Sequence, residues 1–273
     1  MKIHKILNNN TVVVMDGEIE KIVMGAGIGF QKRRNDIVPK SQIEKIFVME
    51  EESERFQELL KTLPVAHIEM AEEIISYAER ELCVPLSNHV HIALTDHLSF
   101  AIERLQKGID IENKLLNEIK IFYKKEFEIG LWAKALLKER LGIEIPEDEV
   151  GHIALHIHNA KEHTSMEHTV RHATMIQEMI QIIANELKKD ITQDSLSYQR
   201  LLTHLRFTIK SLEDQEPLHL MDTEMLHMIK TKYHQSFQIA VEMNRYVQQE
   251  YGIDFPESEL GYVTLYIQRI YEQ

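Results

Sequence analysis

The chain has 273 residues, 27% of them charged, and a formal net charge of −13; it is too long for one ordinary core and suits two or three domains. Residues 1–50 carry a balance of +2, which leaves −15 for the remainder, and because an acidic body repels phosphate backbones, any nucleic-acid contact falls to the N-terminal segment. The single cysteine, Cys83, excludes an internal disulfide and a cysteine-rich zinc site, fits a reducing compartment and reads as a small buried hydrophobe.

The opening Met1-Lys2-Ile3-His4-Lys5-Ile6-Leu7-Asn8 lacks the apolar stretch of a signal peptide, and no run approaches the roughly 20 apolar residues of a membrane span. A soluble cytoplasmic protein without membrane insertion is expected. Ile3, Lys5 and Leu7 alternate with Lys2, His4 and Ile6, and Thr11 to Met15 is a β-branched run that stops at Asp16-Gly17, a hairpin signal. Glu18 to Met24 is the return strand, Gly25-Ala26-Gly27-Ile28-Gly29-Phe30 continues with alternating glycines in a strand-like pattern, and Ile43 to Met49 supplies a last strand. These segments predict a four-stranded antiparallel sheet with little core of its own, its apolar face covered by dimerisation.

From Ser53 the period becomes helical. Ser53 is placed to cap a helix running to Leu63, Pro64 opens the next through Glu81, and Ser87 caps a long one through Gln106 that ends at Gly108. Pro146 and Pro256 each stand in the first turn of a later helix. The polar, aperiodic run Lys161-Glu162-His163-Thr164-Ser165-Met166-Glu167-His168 reads as an inter-domain linker.

The helical part is written twice. Leu94-Thr95-Asp96-His97-Leu98-Ser99-Phe100-Ala101-Ile102 is answered 107 positions later by Leu201-Leu202-Thr203-His204-Leu205-Arg206-Phe207-Thr208-Ile209. Leu141-Gly142-Ile143-Glu144-Ile145-Pro146-Glu147-Asp148-Glu149-Val150-Gly151-His152 returns 110 positions on as Tyr251-Gly252-Ile253-Asp254-Phe255-Pro256-Glu257-Ser258-Glu259-Leu260-Gly261-Tyr262. Across the two copies, His97 and His204 are equivalent, and His156 is answered by Tyr266.

Histidine titrates near neutrality, ligates metals and accepts phosphoryl groups as a nucleophile. Taken singly, His97 and His204 read more readily as packed core or boundary histidines than as functional ones, and their recurrence at equivalent positions brings the two readings level. Glu149, His152 and His156 share a helix face, yet the second copy offers Glu259, Tyr262 and Tyr266 there, which is no ligand set; no metal site is predicted. The glycines at 25, 27 and 29 are not followed by a helix, so the dinucleotide fingerprint is absent, and they instead permit close backbone approach. Phe30-Gln31-Lys32-Arg33-Arg34 combines stacking, base-edge and phosphate-contact capacity, or is a plain solvated charge run. Asn8-Asn9-Asn10 serves either a turn or base reading.

In their order and spacing, Met1-Lys2-Ile3 with Asn8-Asn9-Asn10, the segment Met24 to Lys32, the Thr95-Asp96-His97 and Thr203-His204 runs and the Gly151-to-Ala160 helix resemble BglG/SacY-type transcriptional antiterminators. The resemblance covers essentially the whole chain. Gly25-Ala26-Gly27 and Ile129-Gly130-Leu131-Trp132-Ala133 look more like the sucrose-operon members than the β-glucoside members.

The resemblance implies a multidomain α+β protein: a small four-stranded antiparallel co-antiterminator RNA-binding domain over residues 1–56, then two homologous all-α helical-bundle phosphotransferase-regulation domains over 57–167 and 168–273. It implies a homodimer that binds a leader-mRNA hairpin and prevents terminator formation, with no cofactor and no enzymatic turnover. Phosphorylation of the first regulatory domain by the sugar-specific permease's B component would inhibit, and phosphorylation of the second by the phosphocarrier HPr would activate. By match to the family's motifs, Asn8, Asn10, Gly25, Phe30 and Gln31 would contact RNA, His97, His156 and His204 would accept phosphate, and Asp96 would orient His97. Ala26 stands where some members have arginine, and Tyr266 replaces the fourth acceptor. A histidine phosphorelay or metal-binding protein without RNA binding is the reading from another class. A DNA-binding activator with the same regulatory domains is a third, against which stands a strand-like N-terminus with no room for a helix-turn-helix.

Overall fold

Val12, Val13 and Val14 are all fully buried. Successive side chains of a strand point to opposite faces, so a strand with three consecutive buried residues is covered on both. The computed structural model of the protein describes residues 1–17, 19–48, 53–189, 191 and 195–272, and the side chain of Ser53 lies outside that description. The valine strand, β2 (Thr11–Asp16), lies between β1 (Lys2–Asn8) and β3 (Ile19–Met24), and β4 (Lys45–Phe47) completes an antiparallel sheet in the order β1-β2-β3-β4. Asp16 pairs with Ile19, so the hairpin turn is centred one residue beyond Asp16, with Gly17 at φ +69°. The expected strand ends at Glu18 and Met49 lie outside the described residues.

One face of the sheet packs Ile3, Val12, Val14 and Val23 against Ile28 and Val38 from the segment between β3 and β4. The other packs Leu7, Val13, Ile22, Met24 and Phe47 against Phe56, Leu60, Ile68 and Ile92. These last four come from helices α1 (Ser53–Thr62), α2 (Val65–Leu82) and α3 (His89–Gln106). The sheet thus finds its cover within its own chain, where the sequence had suggested a second copy. Lys45 of β4 ties the two parts together, its Nζ donating to Glu72 Oε2 on α2 at 2.8 Å, while Glu72 Oε1 lies 2.7 Å from His91 Nδ1.

The chain forms two compact units, Met1–Asn113 with Lys125–Thr164, and Lys114–Lys124 with Ser165–Gln273. The first unit adds α5 (Lys124–Leu141) and α6 (Glu147–Glu162) to the elements above. Its α3 packs on α2 and on α6. The second contains α4 (Leu116–Phe122), α7 (Met166–Leu187), α8 (Leu196–Glu213), α9 (Thr223–Lys232), α10 (His234–Tyr251) and α11 (Glu257–Tyr271). There α11 packs on α10 and α8, and α4 on α7 and α8. Arg206 on α8 secures α4, donating to the Phe122 carbonyl at 2.7 Å and lying over the Tyr123 ring. One helix read from its position as part of the first repeat therefore belongs to the second unit.

Several local expectations are corrected. The glycine segment is a run of turns rather than a strand, closed by Ile28 N–H to the Gly25 carbonyl and Phe30 N–H to the Gly27 carbonyl. Helix α3 starts at His89, and Ser87 contributes its backbone carbonyl to Val90 rather than a side-chain cap. The expected linker holds the boundary between the two units but is mostly helix: α6 runs to Glu162, and α7 starts at Met166 with the Ser165 hydroxyl accepting from His168 N–H. Cys83 is exposed, in the left-handed conformation that ends α2, where no side chain is needed for the core. Among the described residues, no helix is long and apolar enough to cross a membrane.

Candidate functional site

Each helical repeat sets a histidine against a buried glutamate. In the first unit, His97 comes from α3 and Glu149 from the first turn of α6; His97 Nε2 lies 3.2 Å from Glu149 Oε2. In the second unit, His204 comes from α8 and Glu259 from the first turn of α11, and the same two atoms are again 3.2 Å apart. The proline before each helix allows the chain to enter in extended conformation and start the helix at once. The carboxylate then sits where helix N–H groups favour negative charge, which offsets part of the cost of burying glutamates only 1% and 3% exposed.

The surroundings differ between copies. Glu149 Oε1 accepts a very short hydrogen bond from Arg104 Nη2, and although burial pushes this carboxyl's pKa up, His97 and Arg104 together hold it below the usual value. In the second copy Ser211 replaces Arg104, and Glu259 Oε2 accepts instead from the Thr208 hydroxyl at 2.9 Å. His97 faces two more imidazoles, with ring centres 4.8 Å from His156 and 5.5 Å from His152. Burial, reinforced by the neighbouring histidines His97, His152 and His89, pushes the pKa of His156 down to about 3. It is therefore a neutral imidazole at physiological pH. Opposite His204 stand Tyr266 and Tyr262, at 5.2 and 6.0 Å. An open hollow of about 500 Å³ fronts His204 and Tyr266, lined also by Arg200, Thr203, Leu196 and Phe207.

Asp96 is not the group that orients His97. It is exposed, because neighbours in a helix sequence point about 100° apart, and the carboxylate at the ring is Glu149. Sequence reading had placed Glu149 on the His152–His156 face and aligned it with Glu259, so the signal was present; what was missing was that this face meets His97.

In the N-terminal domain, Asn8 and Asn10 are bound within the chain. Asn8 Nδ2 donates to the Leu60 carbonyl at 2.8 Å, and its Oδ1 accepts from Asn10 N–H. Asn10 Oδ1 accepts from Gly27 N–H at 2.8 Å and its Nδ2 donates to Glu69 Oε1 at 2.7 Å. Gly25 is buried against the Gln42 carbonyl. Phe30 and Gln31 stand exposed on the turn, with Gln31 at φ +53°. A groove of about 420 Å³ runs between Asn10, Gly25 and Ala26 on one side and Glu69, Glu72 and Glu73 on the other.

Fold and site together define a class: a small two-faced β-domain joined to a duplicated helical domain, each copy of which presents a histidine to a buried glutamate. Residues 1–56 match the CAT RNA binding domain, and residues 72–160 and 177–270 each match the PRD domain. The chain is 39% identical to transcription antiterminator LicT of Bacillus subtilis (strain 168), with all of both chains covered. It is 38% identical to the β-glucoside operon antiterminator of Dickeya chrysanthemi, over 99% of this chain and 96% of that relative. The crystal structure of GlcT CAT-PRDI matches 59% of this chain and 97% of its own, at 35% identity and a TM-score of 0.54. The chain belongs to the BglG/SacY-type transcriptional antiterminators, RNA-binding regulators controlled through the sugar phosphotransferase system.

Proposed function

We propose that the protein, as a cytoplasmic homodimer, binds a hairpin in the leader of a sugar-use transcript, prevents terminator formation, and is switched by phosphorylation of His97, His156 and His204. The sugar-specific permease's B component is the inhibiting donor to the domain over 57–167, and HPr the activating donor to the domain over 168–273. The observation that carries the reading is the repeated geometry: two copies diverged elsewhere keep a histidine nitrogen 3.2 Å from a buried glutamate. A histidine kept only for packing has no need of that carboxylate in both.

The chemistry follows from charge. A phosphoryl group brings close to two negative charges and several acceptor oxygens; on His97 or His204 it arrives within one ring's width of a buried carboxylate. In the first copy it competes with Glu149 for Arg104, so the α3–α6 contact has to rearrange; in the second, Arg200 at the rim of the hollow is the cation to hand. Phe100 and Phe207, three residues beyond each histidine, are 63% and 57% exposed and give a donor protein or a second copy an apolar foothold beside the ring. At the fourth position Tyr266 has no imidazole, so His204 carries the positive signal alone or the tyrosine holds the second domain near its active packing. RNA contact falls to Phe30 and Gln31, with Asn8, Asn10 and Gly25 shaping the same turn.

The test is binding of full-length protein, unphosphorylated and phosphorylated by a reconstituted donor system, to labelled leader-type RNA hairpins at two salt concentrations, beside the same sequence as duplex DNA. The full chain is used because residues 57–92 cover one face of the sheet. Salt-sensitive binding to RNA alone, lost or gained with phosphorylation, is expected. Failure against a panel of hairpins, or unchanged affinity and dimerisation with phosphate on His97, would overturn the scheme.

A further inference from the structure

We infer that His168, His172 and Glu213 form a binding site for a divalent cation of the zinc class, set between the start of α7 and the end of α8. His168 and His172 are four residues apart in the first turns of α7 and so share one face of the helix, an arrangement that suits paired imidazole ligation. Glu213 is the last residue of α8, which packs on α7.

Both imidazoles converge on one carboxylate oxygen. His172 Nε2 is 2.7 Å and His168 Nε2 3.6 Å from Glu213 Oε2, the rings are 4.1 Å apart, and the three donor atoms lie within 4.8 Å of one another. His172 Nε2 is buried yet makes no aligned hydrogen bond, even at that short distance. Four-coordinate zinc with bonds of about 2.0–2.1 Å sets neighbouring donors about 3.3 Å apart, a spacing the 2.7 and 3.6 Å separations bracket, so small side-chain rotations suffice. The half-exposed edge at His168 leaves a fourth position to water. Two nitrogens and one oxygen select zinc, copper or nickel over magnesium or calcium.

Charge distinguishes this cluster from the histidines around His97. Glu149 is already neutralised by Arg104, a fixed cation that would repel a metal ion. At the α7–α8 cluster the neighbouring Arg171 is engaged with Tyr251, over whose ring its guanidinium lies at 5.7 Å, so its charge reaches His172 without its bonding Glu213 as Arg104 bonds Glu149. An ion held here clips the entry helix of the second regulatory domain to the helix that carries His204.

The experiment is titration of chelator-treated, full-length protein with zinc chloride against a chromophoric chelator, with cobalt(II) as a spectroscopic substitute. One equivalent is expected, together with visible cobalt bands of a four-coordinate site and a raised melting temperature. His172→Gln should abolish the equivalent, His168→Gln and Glu213→Gln should each weaken it tenfold or more, and His156→Gln should keep it. Metal-free melting curves of the four variants separate lost ligation from misfolding, and the exposed His168 provides a variant with little packing to lose. No saturable binding overturns the site. So does zinc that binds equally to wild type, His168→Gln and His172→Gln, or an equivalent lost only in His156→Gln.

Discussion

At Glu149 one carboxylate oxygen takes the Arg104 hydrogen bond and the other faces His97, whereas at Glu259 a single oxygen is shared between His204 and the Thr208 hydroxyl. Removing Arg104 strands a buried charge, and Arg104→Ala should cost about 3 kcal/mol or more. Thr208→Val removes a hydrogen bond to a carboxylate that keeps its histidine and should cost about 1–2 kcal/mol; denaturant titration of each variant gives both figures. His156 sets an acid limit. Its pKa falls from the ordinary 6.5 to about 3 in the fold, so below pH 6.5 the unfolded chain takes up a proton that the folded chain refuses. Its contribution is complete above pH 6.5 and declines as pH drops toward 3, by about 2 kcal/mol at pH 5. In His156→Gln the stability difference between pH 8 and pH 5 should shrink by that amount; an unchanged difference would show that His156 is not held neutral.

The turn between β3 and β4 shows how an element is decided by what lies across from it. Alternating glycines suit a strand as well as a chain of turns, and nothing in residues 25–30 distinguishes them. The structure needs Gly25 and Gly29 because a Cβ there would sit 1.8 Å from the Gln42 carbonyl oxygen and 2.3 Å from that of Asn8, contacts made only once the segment packs between the turn before β4 and the β1–β2 turn. Gly29→Ala should therefore destabilise the sheet by about 1–3 kcal/mol and reduce hairpin binding, as thermal melts and RNA titration would show. Gly27→Ala meets no atom but must adopt φ +65°, so it should lose about 1 kcal/mol and retain most binding. Helix positions were legible from period and from Pro64, Pro146 and Pro256. The boundary between the two units falls within the run read as a linker, whose extent was overdrawn because only His163 to Ser165 separates two polar helix ends.

For the molecule, the sheet and the first regulatory repeat share a core, and Asn8 and Asn10 are hydrogen-bonded to Leu60 and Glu69 on the helices that cover it. Glu69 occupies the amide of Asn10, while Glu72 and Glu73, which line the same groove, are paired with Lys45 and Arg140. Glu69→Gln removes one negative charge while its amide oxygen can still accept from Asn10, so hairpin binding should tighten by a few-fold, more so at low salt. Equal affinity in the two proteins would mean that RNA approaches elsewhere. Replacing Tyr266 with His should raise the dependence of antitermination on HPr, read from a leader-fused reporter with and without the carrier; an unchanged dependence removes that position from the switch.

The order of domains, the duplication, the sheet of four strands and the paired histidines were all present in the sequence, because period, turn residues and repeated motifs are local or self-referential signals. Contacts between distant segments were not. That Glu149 rather than Asp96 meets His97, that α4 joins the second unit, that α1 to α3 cover the sheet, and that His168 and His172 converge on Glu213 each depend on which helix faces which. Such pairings are set by packing of whole surfaces, and no single stretch of chain encodes them.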